Sequence, residues 1–110
     1  MSFFKNTLFI QHRCNRSEDL KSLPSQFGAE IDVRYHGDDL ILHHDPFHHD
    51  KAELLVSFLK QWRLGKFVGP LILNIKTEGI EERCIALMQE YQVTNWFFLD
   101  LSMPYFVKYA

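Results

Sequence analysis

A chain of 110 residues has room for a single domain. Its 46% hydrophobic and 15% aromatic content is ample for a core and excludes a disordered composition. A formal net charge of −2 excludes the basic footprint that nucleic acid or an anionic membrane surface would require.

The opening segment MSFFKNTLFIQHR is split by Lys5 and Asn6 and runs into no small-residue cleavage site, so it does not read as a signal peptide. No apolar run approaches the ~18 residues of a membrane span, and a soluble cytoplasmic protein is expected. Thr7–Gln11 is short, apolar and β-rich, a buried strand. Ser17-Glu18-Asp19 starts a helix that Pro24 keeps short. Ala29–Tyr35 is a second strand, His36-Gly37-Asp38-Asp39 a turn, and Leu40–His43 a return strand, which together make a hairpin. Asp50 and Glu53 form a capping-box pattern before Leu54, Leu55, Phe58, Leu59 and Trp62, with Gly65 at the C′ position. Leu71–Lys76 is a third strand. A third helix opens at Thr77 or Glu78 and buries Ile80, Cys84, Leu87, Met88 and Tyr91. Asn95–Leu101 is a fourth strand, and Ser102 with Met103-Pro104 starts a fourth helix. Alternating strands and helices, with strands apolar on both faces, predict a parallel sheet with helices packed outside it.

Each predicted strand turns polar at the same end. The first ends in His12-Arg13, the second carries Glu30, Asp32 and Arg34, the third Asn74 and Lys76, and the fourth Asp100. Ligands of parallel α/β folds bind at the carboxyl ends of the strands, and four polar ends out of four point to a shared site. Residues two apart share a strand face, so Glu30 points with Asp32, and Asn74 with Lys76. Two carboxylates side by side repel unless a cation lies between them. With an amide oxygen across the sheet, the matching occupant is Mg²⁺ or Ca²⁺.

Blander readings stand beside these. Glu30 and Asp32 could form a solvated edge face, and Lys76 a satisfied strand-end lysine. His36, His48 and His49 read as solvated loop residues, without a zinc-ligand spacing. Cys84 falls on an apolar helix stripe. Cys14 and Cys84 lie outside any CxxC pattern and read as reduced thiols, Cys14 having no evident base to make it a nucleophile.

The HR closing the first strand, then GAEIDV, LILHHDP and LILNIK, in that order and spacing, resembles the glycerophosphodiester phosphodiesterase family, which is related to the phosphatidylinositol-specific phospholipases C. The resemblance covers roughly residues 7–77. It implies that His12 and His44 are the catalytic histidines, that Arg13 contacts phosphate, that Lys76 is the third-strand lysine, and that Glu30 and Asp32 are metal ligands. Asn74 stands where the family has a metal-binding Glu, and Cys14 where it has Gly. The Glu-Asn-Thr that commonly follows the first motif is absent, although Glu18 lies nearby.

The implied fold is a TIM-type (β/α)₈ barrel, which takes about 200 residues or more. The expectation is therefore an α/β chain forming the N-terminal half of such a barrel, one partial domain over 1–110 with about four strands and four helices. Its open sheet edges would need a C-terminal half, a second copy or another chain to cover them. The implied activity is metal-dependent hydrolysis of a small-molecule glycerophosphodiester, one histidine taking a proton and the other giving one. Arg13 and Lys76 would offset charge at the transition state. Two alternatives remain: a catalytically degraded module kept for ligand or metal binding or for assembly, and an enzyme of polyol or sugar phosphates.

Overall fold

The computed structural model describes residues 9–45 and 51–99. Strand β1 (Ile10–Gln11) is followed by a 3-10 helix over Ser17–Ser22, β2 (Gly28–His36) and β3 (Asp39–Leu42). Then come β4 (Glu53–Leu54), α1 (Leu55–Leu64), β5 (Leu71–Ile75), α2 (Glu81–Glu90) and β6 (Trp96–Phe98). Among the described residues no helix is long and apolar enough to cross a membrane.

All six of these strands join one sheet in the order β4-β3-β2-β5-β6, with β1 also paired to β2. The ladders β1–β2, β2–β5 and β5–β6 are parallel, whereas β2–β3 and β3–β4 are antiparallel. Ala29 is partnered by both Gln11 and Leu71, and Val33 by both Leu42 and Ile75. β1 and β3 therefore share one edge of β2, along its first and second halves respectively, and β5 takes the other edge.

This corrects the expected fold. The sheet is mixed, and the chain is not the parallel half of a (β/α)₈ barrel built from alternating strand–helix units. The reason is local. His36 pairs with Asp39, so the β2–β3 connection is the two residues Gly37-Asp38, with Gly37 at φ +61°. A connection that short returns the chain antiparallel, because a parallel crossover takes a dozen residues or more. β4, which the periodicity does not anticipate, adds a second antiparallel ladder. The link from β1 to β2 holds one 3-10 segment in place of an α-helix, so the strand–helix alternation is lost.

The two faces of the sheet differ sharply. Ala29, Ile31 and Val33 of β2, Leu40 and Leu42 of β3, and Leu71 and Leu73 of β5 form one core with Leu55, Phe58, Leu59 and Trp62 of α1. Leu20 of the 3-10 helix and Ile80, Cys84 and Met88 close it. Burial of each large side chain here contributes about 1.5–3 kcal/mol. Glu30, Asp32, Ile72 and Asn74 alternate with these residues and lie on the opposite face. At the amino ends of β2 and β5 the backbones nearly touch: a Cβ on Gly69 would sit 2.2 Å from the Phe27 carbonyl oxygen, and one on Gly28 would sit 2.6 Å from that of Pro70.

The helix termini depart from expectation. α1 begins after Leu54 without a side-chain cap, and Glu53 accepts bonds from Ser17 N–H (2.9 Å) and Ser17 Oγ (3.0 Å) instead. Glu53 thus satisfies a donor at the start of the 3-10 helix and fastens that helix to the sheet; Asp50 lies outside the described residues. α2 starts at Glu81, because Gly79 at φ +85° still belongs to a turn. Thr7, the final residues of the predicted fourth strand and the helix predicted at Ser102 also lie outside the described residues.

Gly65 is the αR cap residue of α1, and Lys66, at φ +54°, takes the left-handed position beyond it. Lys66 N–H bonds Arg63 C=O and Phe67 N–H bonds Trp62 C=O, the two bonds of a Schellman motif, and the Phe67 ring stacks on Trp62 at 4.7 Å. Gln92, at φ +59°, repeats the motif after α2, with Gln92 N–H to Gln89 C=O and Val93 N–H to Met88 C=O. Non-glycine residues are strained in this conformation. Lys66→Gly and Gln92→Gly are each expected to raise stability by about 0.5–1 kcal/mol in urea unfolding. A loss of stability in both would refute the cap assignment.

Candidate functional site

β2 has neighbouring strands on both edges, so it is its side chains that decide the character of its faces. Glu30 and Asp32 are each only 1% exposed. A carboxylate buried this deeply is costly unless charge or hydrogen bonds compensate it. The neighbouring strands supply that compensation through their register.

β1 pairs Ile10 with Gly28 and Gln11 with Ala29, and one further residue of the same register sets His12 beside Glu30. His12 Nδ1 lies in contact with Glu30 Oε1, an ion pair when the imidazole is protonated. Cys14 N–H donates to Glu30 C=O at 2.7 Å and holds the loop to the strand. Between them Arg13 takes a left-handed backbone, φ +52°, at the position expected to contact phosphate. Such a conformation in a non-glycine residue costs of order 1 kcal/mol and persists where its surroundings enforce it.

Asp32 gathers more partners. β5 places Asn74 directly across from it, and Asn74 Nδ2 donates to Asp32 Oδ1 at 3.3 Å. Lys76 Nζ lies 3.8 Å from the same oxygen. The loop residue Asn15 donates from Nδ2 to Asp32 Oδ2 at 2.9 Å, and its Oδ1 accepts the Asp32 N–H at 2.8 Å. Of the expected site residues, the structure thus brings His12 to Glu30, and Asn74 and Lys76 to Asp32, on one face of the sheet.

His44 is placed differently. Its Nδ1 lies 3.2 Å from Asp45 Oδ1, and this contact holds the Asp45 carboxyl below its ordinary range. Its backbone is anchored by Arg34, whose Nε donates to His43 C=O at 2.9 Å and whose Nη2 donates to His44 C=O at 2.6 Å. His43 N–H in turn donates to Asp32 C=O at 3.0 Å. The turn carrying His44 is therefore tied to the carboxylate strand by its backbone, while the imidazole is engaged locally. Pro46, His48, His49 and Asp100 lie outside the described residues.

Asn15, which sequence reasoning did not single out, looks in the chain like any turn residue, two positions beyond the HR pair.

Two carboxylates and an amide share one face, but Asn74 meets Asp32 through Nδ2, a nitrogen donor, and the Lys76 ammonium lies near the same Asp32 oxygen. Among the described residues no group of three or more His, Cys, Asp and Glu side chains could hold a metal ion. Any cation would rest on the Glu30–Asp32 pair with Asn74 as its third, uncharged donor.

Cys14 and Cys84 are both buried and unbridged. Burial, reinforced by the charges of Asp19 and Glu53, pushes the Cys14 thiol up to about 12. Burial beside Glu81 pushes Cys84 to about 11. Both stay protonated at neutral pH, which removes Cys14 as a nucleophile, since the thiolate is the reactive form. The native protein at pH 8 is expected to show no fast reaction with Ellman's reagent and to release both thiols once denatured. One rapidly titrating thiol in the folded protein would contradict this.

Comparison with protein-family models, with curated proteins and with solved structures finds no match to this chain.

Proposed function

We propose that this chain carries a phosphodiester-hydrolysing site for small glycerophosphodiester-like substrates. The observation that carries the reading is the burial of Glu30 and Asp32 side by side on β2, with His12, Asn74 and Lys76 held against them. Acids buried this deeply and met by so many polar partners are costly to maintain, and that cost is what singles the cluster out as a candidate site.

Within this reading Glu30, Asp32 and Asn74 would hold Mg²⁺ or Ca²⁺, which when bound supplies positive charge to a phosphoryl oxygen and lowers the pKa of an attacking hydroxyl. His12 engages Glu30 through Nδ1, so Nε2 is the nitrogen that exchanges a proton with substrate, while Glu30 steadies the imidazolium. His44 supplies the second proton-transfer group, on a turn whose backbone Arg34 anchors. Arg13 and Lys76 bring fixed positive charge toward the transferring phosphoryl group. A diester suits two histidines, because the attacking oxygen loses a proton while the leaving alcohol gains one.

A second reading, a module that binds ligand or metal without turnover, is favoured by the His44–Asp45 contact and by the uncharged Asn74 at a ligand position. Hydrolysis of a glycerophosphodiester by the full chain with Mg²⁺ or Ca²⁺ separates the two. The enzyme reading expects turnover that a chelator abolishes and the cation restores. Cation binding in calorimetry without turnover would support the binding module.

His12→Ala and His44→Ala are each expected to lower turnover by about two orders of magnitude or more, the usual worth of positioned acid–base catalysis. Near-normal activity in either variant would remove the paired-histidine scheme.

A further inference from the structure

The two segments that carry His12 and His44 hang on the same edge of β2. Cys14 N–H, two residues after His12, donates to Glu30 C=O at 2.7 Å. His43 N–H, one residue before His44, donates to Asp32 C=O at 3.0 Å. Those two carbonyls belong to residues two apart on one strand, a separation of about 7 Å at the usual rise. On that edge β1 pairing ends at Ala29 and β3 pairing begins at Val33, so both segments enter the stretch between the two strands.

Each segment is then fastened by one side chain. Asn15 holds the first to Asp32. Arg34 holds the second, from the same face of β2 as Glu30 and Asp32. Its Nε donates to His43 C=O at 2.9 Å and its Nη2 to His44 C=O at 2.6 Å. These carbonyls belong to the peptide units before and after the His44 Cα. Peptide units are planar, so holding both of them fixes the two soft backbone dihedrals of His44 and the direction of its Cα–Cβ bond. The chain bends at His44 and Asp45, which lets both carbonyls turn toward one guanidinium. Arginine suits this task because its donors form a rigid planar fork, whereas an ammonium is a single point.

From this geometry we infer that Arg34 is a positioning residue for His44, pinning the peptide on each side of its Cα and so setting the direction from which the imidazole reaches substrate. The inference rests on the reading of His44 as one of the two proton-transfer groups. A fork that served folding alone would change stability and act equally with or without the His44 imidazole.

The test is hydrolysis of a glycerophosphodiester by the full chain, by Arg34→Ala and Arg34→Lys, and by both substitutions in a His44→Ala background. Circular dichroism checks the fold of each, and proton NMR follows the His44 ring resonance, identified by its loss in His44→Ala. Arg34→Lys keeps the charge without the fork, so it carries the test should Arg34→Ala fail to fold. The expected result is a kcat lowered by up to about a hundredfold with KM nearly unchanged, because a displaced proton-transfer group is missed in the transition state. The His44 resonance shifts in both variants, and neither substitution costs anything further once His44 is alanine. Folded variants with wild-type kcat and an unshifted His44 resonance overturn the role of Arg34 and leave the phosphodiesterase reading standing. An equal loss in the His44→Ala background overturns it too, since Arg34 then acts other than through His44. A wild-type chain without turnover overturns the phosphodiesterase reading and this inference with it.

Discussion

Two carboxylates shut away from water on the middle strand are the constraint around which this molecule is organised. An uncompensated buried charge costs several kcal/mol, comparable to the whole stability of a small domain. Glu30 is met by His12 from the loop after β1, and Asp32 by Asn15 from the same loop and by Asn74 and Lys76 from β5. These partners arrive by strand register, so sheet alignment and charge compensation are one requirement. A slip of one residue along β2 would turn both acids into the apolar core and their partners away from them.

The division between the faces follows from the same strand. Its odd residues join the helices in a core without charge, and its even residues carry the polar cluster. The apolar core and the polar cluster therefore lie on opposite sides of one sheet. The helices are finished by backbone geometry, with two Schellman termini and no side-chain N-caps, while Glu53 serves a distant 3-10 segment. Glu53, which the sequence pattern assigns to a local cap, is used for a contact across the fold.

Sharing one edge between β1 and β3 has a further consequence. It leaves a break in the ladder at Asp32, and the break admits a loop side chain that an unbroken ladder would exclude. The left-handed Arg13 lies in that same loop, so backbone strain, an interrupted ladder and buried acids meet within a few residues. Sites of this kind are where local rules are broken and compensated elsewhere.

Much of this was legible from the order of residues alone. The extents of β2 and β5 follow from apolar runs bounded by turn residues, and the two-residue spacing already places Glu30 with Asp32 and Asn74 with Lys76. The apolar stripes of α1 and α2 are equally plain, since periodicity within one element is a short-range property of backbone geometry. Partnership is not short-range. Asn15 meets Asp32 across 17 positions, Ser17 meets Glu53 across 36, and Asn74 meets Asp32 across 42. The β2–β3 hairpin was legible from its turn residues, but the antiparallel addition of β4, the edge that β1 and β3 divide, and the diversion of Glu53 from helix cap to 3-10 anchor depend on which backbones lie side by side. No window of neighbouring residues encodes that, because it is settled by the burial and hydrogen bonding of the whole sheet at once.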